Sequence, residues 1–116
     1  DLLCEDGVTL RRRLAAGELS SVQLVGACLD RIEALNPTYN AVVSLRARDD
    51  ILAEARRADE AQAAGRATGV LHGLPIAIKD LAATAGLRTT WGSPLYAGHV
   101  PAADDLLVRG AALACA

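Results

Sequence analysis

The chain has 116 residues, of which 52% are hydrophobic and 22% charged, with a net charge of −2 and a pI near 5.6. That balance fits one globular domain and excludes a disordered chain. It also argues against direct nucleic-acid binding, which needs clustered cations on a basic surface. The only basic run, Arg11-Arg12-Arg13, is short and reads as a solvated helix face.

The core is expected to be weak. There is no Phe or Met, one Trp (Trp91) and two Tyr (Tyr39, Tyr96), so burial falls to Leu, Ile, Val and Ala. Cys4, Cys28 and Cys115 are an odd number without C-x-x-C spacing, which points to a reducing compartment. Cys28 is expected as a small buried hydrophobe. His72 and His99 lack metal-ligand spacing, so no metal site is expected. No long apolar stretch and no signal-peptide pattern occurs, so the expected setting is soluble and cytoplasmic, without a membrane partner. The first residue is Asp1 rather than Met, which suggests a fragment.

In chain order, a short helix is expected over 9–16, capped by Thr9 and stopped at Gly17. A second helix, 21–35, begins with Ser20 and Gln23 in capping-box spacing and with Leu19 and Leu24 in hydrophobic-staple spacing. Leu24, Val25, Cys28, Leu29, Ile32 and Leu35 line one apolar face of it. This face reads as core; a binding role or self-association through it is the weaker alternative. Asn36-Pro37 should end the helix. A strand is expected over 41–45. A third helix, 50–64, follows Asp49-Asp50, which offer a cap and early negative charge. Its apolar face is mostly alanine. Gly65-Arg66-Ala67-Thr68-Gly69 reads as a flexible connection.

Leu74 to Ile78 is a short apolar run after the turn-prone His72-Gly73 pair. It reads as a buried strand over 74–79, with Pro75 near its start and Lys79-Asp80 at its end. A lysine held at such an end is partly desolvated. Desolvation disfavours an ammonium and favours a base near neutral pH. The plainer reading is a polar strand end. The region from 81 to 103 has little periodicity, and a loop of that length is usually functional or a misassigned element. A last helix is expected over 104–113, weakened by Gly110 by about 1 kcal/mol. The order of helices and strands predicts an α/β fold, but two strands are too few to close a sheet.

These pieces together resemble the N-terminal part of an amidase signature enzyme. The likeness is carried by Gly17-Glu18-Leu19-Ser20-Ser21, Asp30-Arg31-Ile32-Glu33-Ala34-Leu35-Asn36-Pro37 and Asn40-Ala41-Val42-Val43. It continues through Leu71-His72-Gly73-Leu74-Pro75-Ile76-Ala77-Ile78-Lys79-Asp80, Thr84-Ala85-Gly86-Leu87, Thr89-Thr90-Trp91-Gly92-Ser93 and His99-Val100-Pro101-Ala102. The resemblance implies an incomplete α/β fold, a mixed sheet surrounded by helices, with residues 1–116 as a truncated N-terminal part of one amidase domain. It implies hydrolysis of a small-molecule carboxamide to a carboxylic acid and ammonia through a Ser–Ser–Lys acyl-enzyme mechanism, with no cofactor. Lys79 matches the catalytic lysine. As general base it would deprotonate a bridging serine on a cis peptide bond, which relays the proton of the nucleophilic serine.

In the family both serines lie in a downstream Gly/Ser-rich stretch, and this sequence has none. Ser20-Ser21 is a helix cap by position. Ser93 in a loop is not promoted to nucleophile, and a Ser93, His72 and Asp104 triad has no local support. The chain alone is therefore expected to be inactive. Lys79-Asp80-Leu81 and Thr89-Thr90-Trp91-Gly92-Ser93 look more like a general amidase. The alternative is the glutamine-hydrolysing (glutaminase-type) subunit of a tRNA-dependent amidotransferase, which would need a partner protein and tRNA; a non-catalytic interaction piece is a further one.

Overall fold

A computed structural model describes residues 2–66 and 69–115. Four α-helices occur in it: α1 (Gly7–Ala15), α2 (Ser21–Tyr39), α3 (Arg48–Ala63) and α4 (Leu106–Cys115). Single 3₁₀ turns lie at Leu2–Cys4 and Pro94–Tyr96. Part of the expected 65–69 connection, Ala67-Thr68, lies outside the described residues.

The four expected helices are present, with shifted ends. Asp6, rather than Thr9, caps α1: its carboxylate accepts Thr9 N–H and Thr9 Oγ1, both at 2.9 Å. Gly17, at φ 73°, follows the end of α1 as expected of a glycine stop. Helix α2 starts on the expected capping box, with Gln23 N–H donating to Ser20 Oγ at 3.0 Å and Ser20 N–H to Gln23 Oε1 at 2.9 Å. It does not stop at Pro37 but runs to Tyr39 and closes on Asn40 in the left-handed conformation, whose N–H reaches Asn36 O at 2.7 Å. A proline in the last turn removes one ladder bond without ending the helix. Helix α3 starts two residues before its expected position. Asp49 and Asp50 supply negative charge in its first turn, but Ala47 occupies the cap with no side-chain bond. Helix α4 passes through Gly110 without a break.

The expected α/β fold is not found. Among the described residues there is no strand and no sheet; the regular structure is helical. Both strand expectations, 41–45 and 74–79, fail for one reason: an apolar extended run becomes a strand only beside a partner that completes its ladder. Around 41–45 the hydrogen bonds go to side chains. Asn36 accepts from Val42 N–H and donates to Val42 O, both at 2.9 Å, and Arg88 Nη2 donates to Val43 O. In the second run, Ile76, Ala77, Ile78 and Lys79 donate no backbone hydrogen bond to any of the described residues.

Two small apolar clusters hold α1, α2 and α3 together. Leu14, Leu19 and Leu24 form one, with Leu10, Cys28 and Leu74 packed against it. The staple pair Leu19 and Leu24 therefore meets as its spacing predicted. Val25, Leu29 and Ala55 form the other, with Val22, Ile51 and Leu52 around it. The α2 face is thus core over its first half, and Leu35 remains exposed. The alanine face of α3 lets Ala55 pack closely on α2. Cys28 is half-buried, and burial pushes its thiol pKa up.

One long-range contact secures the α2–α3 pair. Asp59 of α3 accepts Ser21 N–H at 2.6 Å and Val22 N–H at 3.1 Å. With Ser20 taking Gln23 N–H, the first three N–H groups of α2 are all satisfied. Asp59 also places negative charge at the positive end of the helix. Asp59→Ala is expected to cost about 0.5–2 kcal/mol, the usual worth of a lost N-terminal cap, read as a lower midpoint in thermal unfolding followed by circular dichroism.

Candidate functional site

The site is built around the segment that carries Lys79, which is fixed at both ends. At its start, residues 71–74 enter the junction of α1, α2 and α3. His72 is buried, and its Nε2 lies 2.9 Å from Ala58 O in α3. Ser21 Oγ, also buried, donates to Gly73 O at 2.7 Å. Gly73 has φ 79°, and a Cβ there would stand 3.4 Å from Leu14 Cδ1. The backbone conformation favours glycine, while the space beside Leu14 would give a Cβ an ordinary contact. Leu74 then packs on the first apolar cluster.

At its end the segment is tied to the loop that follows. Ala82 N–H donates to Lys79 O at 2.9 Å. The Asp80 carboxylate accepts Thr90 N–H on Oδ1 at 2.8 Å and Thr90 Oγ1 on Oδ2. Asp80 O accepts Trp91 N–H at 3.1 Å. Gly92 N–H reaches Thr90 Oγ1 at 3.2 Å. Trp91 and Gly92 both have positive φ, 51° and 71°, and Ser93 N–H bonds Thr90 O at 2.9 Å. Two left-handed residues inside such a bond are the signature of a type I′ turn. A tryptophan there is strained, by about 1–3 kcal/mol. The Asp80 bonds and an aromatic group hold it. Trp91 stacks on His99 with ring centroids 4.9 Å apart, and Tyr96 meets Trp91 edge-on at 4.8 Å.

The region from 81 to 105 lacks regular structure beyond the Pro94–Tyr96 turn but is cross-braced. Asp105 accepts Ala83 N–H at 2.8 Å and returns its own N–H to Ala83 O at 2.9 Å. Asp104 accepts Ala85 N–H at 2.6 Å. Gly86 N–H bonds Pro101 O and Thr89 N–H bonds His99 O, both at 3.0 Å. Thr89 and Pro101 are buried. The loop is therefore a folded platform beside Lys79.

Lys79 itself is exposed. The burial expected for it is absent in this chain, because the run before it has no sheet to cover it. No salt bridge or side-chain hydrogen bond of Lys79 occurs among the described residues. No ion pair between Lys79 and Asp80 occurs, and the Asp80 carboxylate accepts from Thr90. One sequence signal marks Lys79 more sharply than the apolar run does. The chain has eleven arginines and one lysine, and that lysine is Lys79. Where only charge is wanted, this chain uses arginine; lysine differs by being able to lose its proton.

The Ser93, His72 and Asp104 set is not assembled. Ser93 caps the Pro94 turn by accepting Leu95 N–H at 3.3 Å, His72 is committed to α3, and Asp104 to the loop. No group of three or more His, Cys, Asp or Glu placed to hold a metal is found among the described residues. None of their helices is long and apolar enough to cross a membrane.

Hydrogen bonds from Thr90 hold the Asp80 carboxyl below the usual aspartate range. A lowered native pKa stabilises the loop above the ordinary aspartate value and loses that contribution as the pH falls through the native one. Trp91 emission should therefore change in acid, below about pH 4, as the carboxylate protonates and the turn loosens. Asp80→Asn should remove that acid limb in a fluorescence titration; an unchanged limb would place its origin elsewhere.

Comparison with known proteins covers the segment that carries Lys79. The family model described as Amidase matches residues 23–113. The chain is 50% identical over 88 residues to a glutamyl-tRNA(Gln) amidotransferase subunit of Chloroflexus aurantiacus, a match covering 76% of this chain and 18% of that protein. It is 38% identical over 109 residues to the protein of the same name from Acidothermus cellulolyticus, covering 94% and 21%. A solved structure from work described as "An unexpected vestigial protein complex reveals the evolutionary origins of an s-triazine catabolic enzyme" superposes with a TM-score of 0.81 at 29% identity, covering 90% of this chain and 23% of that one. The chain thus spans about a fifth of the length of the relatives it matches. These matches follow the residues that carried the resemblance, and the chain belongs to the amidase family.

Proposed function

We propose that this chain is the N-terminal part of one amidase domain and contributes its general base, Lys79, to hydrolysis of a small carboxamide. The observation that carries the reading is the single lysine of the chain, anchored on both sides and left without a carboxylate partner among the described residues. A serine hydroxyl attacks a carbonyl only after a neighbouring base takes its proton. A carboxylate partner would hold the amine in its protonated form, and Lys79 has none among the described residues. In the Ser–Ser–Lys scheme the amine takes the proton of the bridging serine, which takes that of the nucleophile. The nucleophile forms the acyl-enzyme, ammonia leaves, and water releases the acid. Both serines come from outside this sequence, so the chain alone turns over no amide. The names of the curated relatives favour, as the parent, an amidotransferase component over a free-standing amidase.

The test joins residues 1–116 to the remainder of the Chloroflexus relative, in place of its matching part, and measures ammonia release from small carboxamides. Activity that depends on Lys79 supports the reading. An active hybrid indifferent to Lys79 overturns it.

A further inference from the structure

We infer that Thr90 keeps the Asp80 carboxylate away from Lys79, so that the only amine-bearing side chain of the chain is not neutralised by its sequence neighbour. This rests on the reading of Lys79 as a base and makes Thr90 a positioning residue for it.

The motivation is a conflict within the sequence. A base must be able to lose its proton, yet an acidic residue follows directly at position 80. A carboxylate brought against an ammonium stabilises the charged form and opposes that role. The structure resolves the conflict by geometry. Both Asp80 oxygens are engaged by one residue: Oδ1 by Thr90 N–H at 2.8 Å, Oδ2 by Thr90 Oγ1. The hydroxyl proton of Thr90 is directed at Asp80 because Gly92 N–H, at 3.2 Å, occupies the acceptor side of the same oxygen. The type I′ turn places Thr90 there, and it requires Trp91 in a conformation that a tryptophan seldom adopts. Strain of this kind persists only where the surroundings enforce it. The charge of Arg88 also favours the Asp80 carboxylate.

Two features separate this arrangement from an ordinary loop brace. Asp104 and Asp105 brace the same loop by taking backbone N–H groups alone. Asp80 also takes a hydroxyl, so each of its oxygens is held by Thr90. Elsewhere in the chain exposed carboxylates do pair with nearby cations, as Asp30 and Glu33 do with Arg48 and Glu54 with Arg46. Lys79, with a carboxylate next to it in sequence, does not among the described residues.

The test uses the chain as it stands, because Lys79 is its only side-chain amine. The protein is treated at fixed pH with a small neutral acylating ester, and mass spectrometry of the Lys79 peptide gives the rate. Thr90→Val keeps the shape and removes the hydroxyl, freeing Oδ2. It is expected to slow acylation about two- to fivefold, the effect of an exposed ion pair on the fraction of free amine. Thr90→Ser keeps the hydroxyl and is expected to react at the rate of the unsubstituted chain. The double variant Thr90→Val with Asp80→Asn has no carboxylate to release and is expected to regain that rate. An unchanged rate in Thr90→Val overturns the inference. So does slow reaction that persists in the double variant, which would trace the effect to a loosened loop. These rates are independent of hydrolysis: the positioning role can fail with Lys79 still a base, and Lys79 can fail as a base with the positioning role intact.

Discussion

Replacing Lys79 by arginine in the hybrid enzyme is expected to lower carboxamide hydrolysis as far as replacing it by alanine does, by about 10²–10⁴-fold, the usual contribution of a positioned general base. The comparison of the two substitutions decides between charge and proton transfer. If the cation merely attracted substrate or stabilised an oxyanion, arginine would retain much of the rate, since it is cationic at every accessible pH. If Lys79 accepts a proton, arginine fails. The arginine-rich composition makes this a fair exchange: eleven other positions already carry that side chain. Among the described residues, Lys79 is exposed, donates no backbone hydrogen bond and makes no ion pair, so neither substitution removes a stabilising contact. Unfolding midpoints for both variants should match the unsubstituted protein. A variant that retains more than a tenth of the activity would sink the general-base assignment.

Leu24→Ala is expected to be the most destabilising truncation in the chain. Leu24 is 1% exposed and clusters with Leu14 and Leu19 at the start of α2. Truncating a buried leucine costs about 2–5 kcal/mol, part for lost burial and part for the cavity left behind. A domain of this size has only about 5–15 kcal/mol in total, and this core is thin. Its buried hydrophobic residues among those described are seven, one of them an alanine. Loss of Leu24 also loosens Leu74, which packs on the same cluster and leads into the Lys79 segment. Chemical denaturation followed by circular dichroism should show a large fall in midpoint, or no folded baseline at all. Leu35→Ala on the same helix, with Leu35 41% exposed, should stay within about 0.5 kcal/mol. Equal costs for the two would mean that the core is not ordered around Leu24.

The sequence was most informative where the physics is local. The capping box of α2 needs only Ser20 and Gln23, three residues apart, and the staple only Leu19 and Leu24; both formed as spacing predicted. The composition also isolated Lys79, through its being the sole lysine among arginines, although the apolar run before it is the signal that first draws attention. The resemblance to amidases rested on ordered short motifs, and the family match covers most of the same residues. What failed was the pair of inferences that needed a distant strand as partner. The runs at 41–45 and 74–79 are apolar and extended in pattern, but a strand exists only with a neighbour to pair with, and none occurs among the described residues.

The site's surroundings were decided by tertiary structure for the same reason. Nothing at position 59 announces that its carboxylate will cap a helix beginning 38 residues earlier, and nothing at position 90 announces that Thr90 will take both oxygens of Asp80. Carboxylates look alike in sequence; which donor each one meets depends on where the chain returns. Sequence alone determined the helices, their polar and apolar faces and the identity of the one lysine. The fold decided which donor Asp80 meets, because the long loop turns back on a strained Trp91-Gly92 corner and brings Thr90 to its carboxylate.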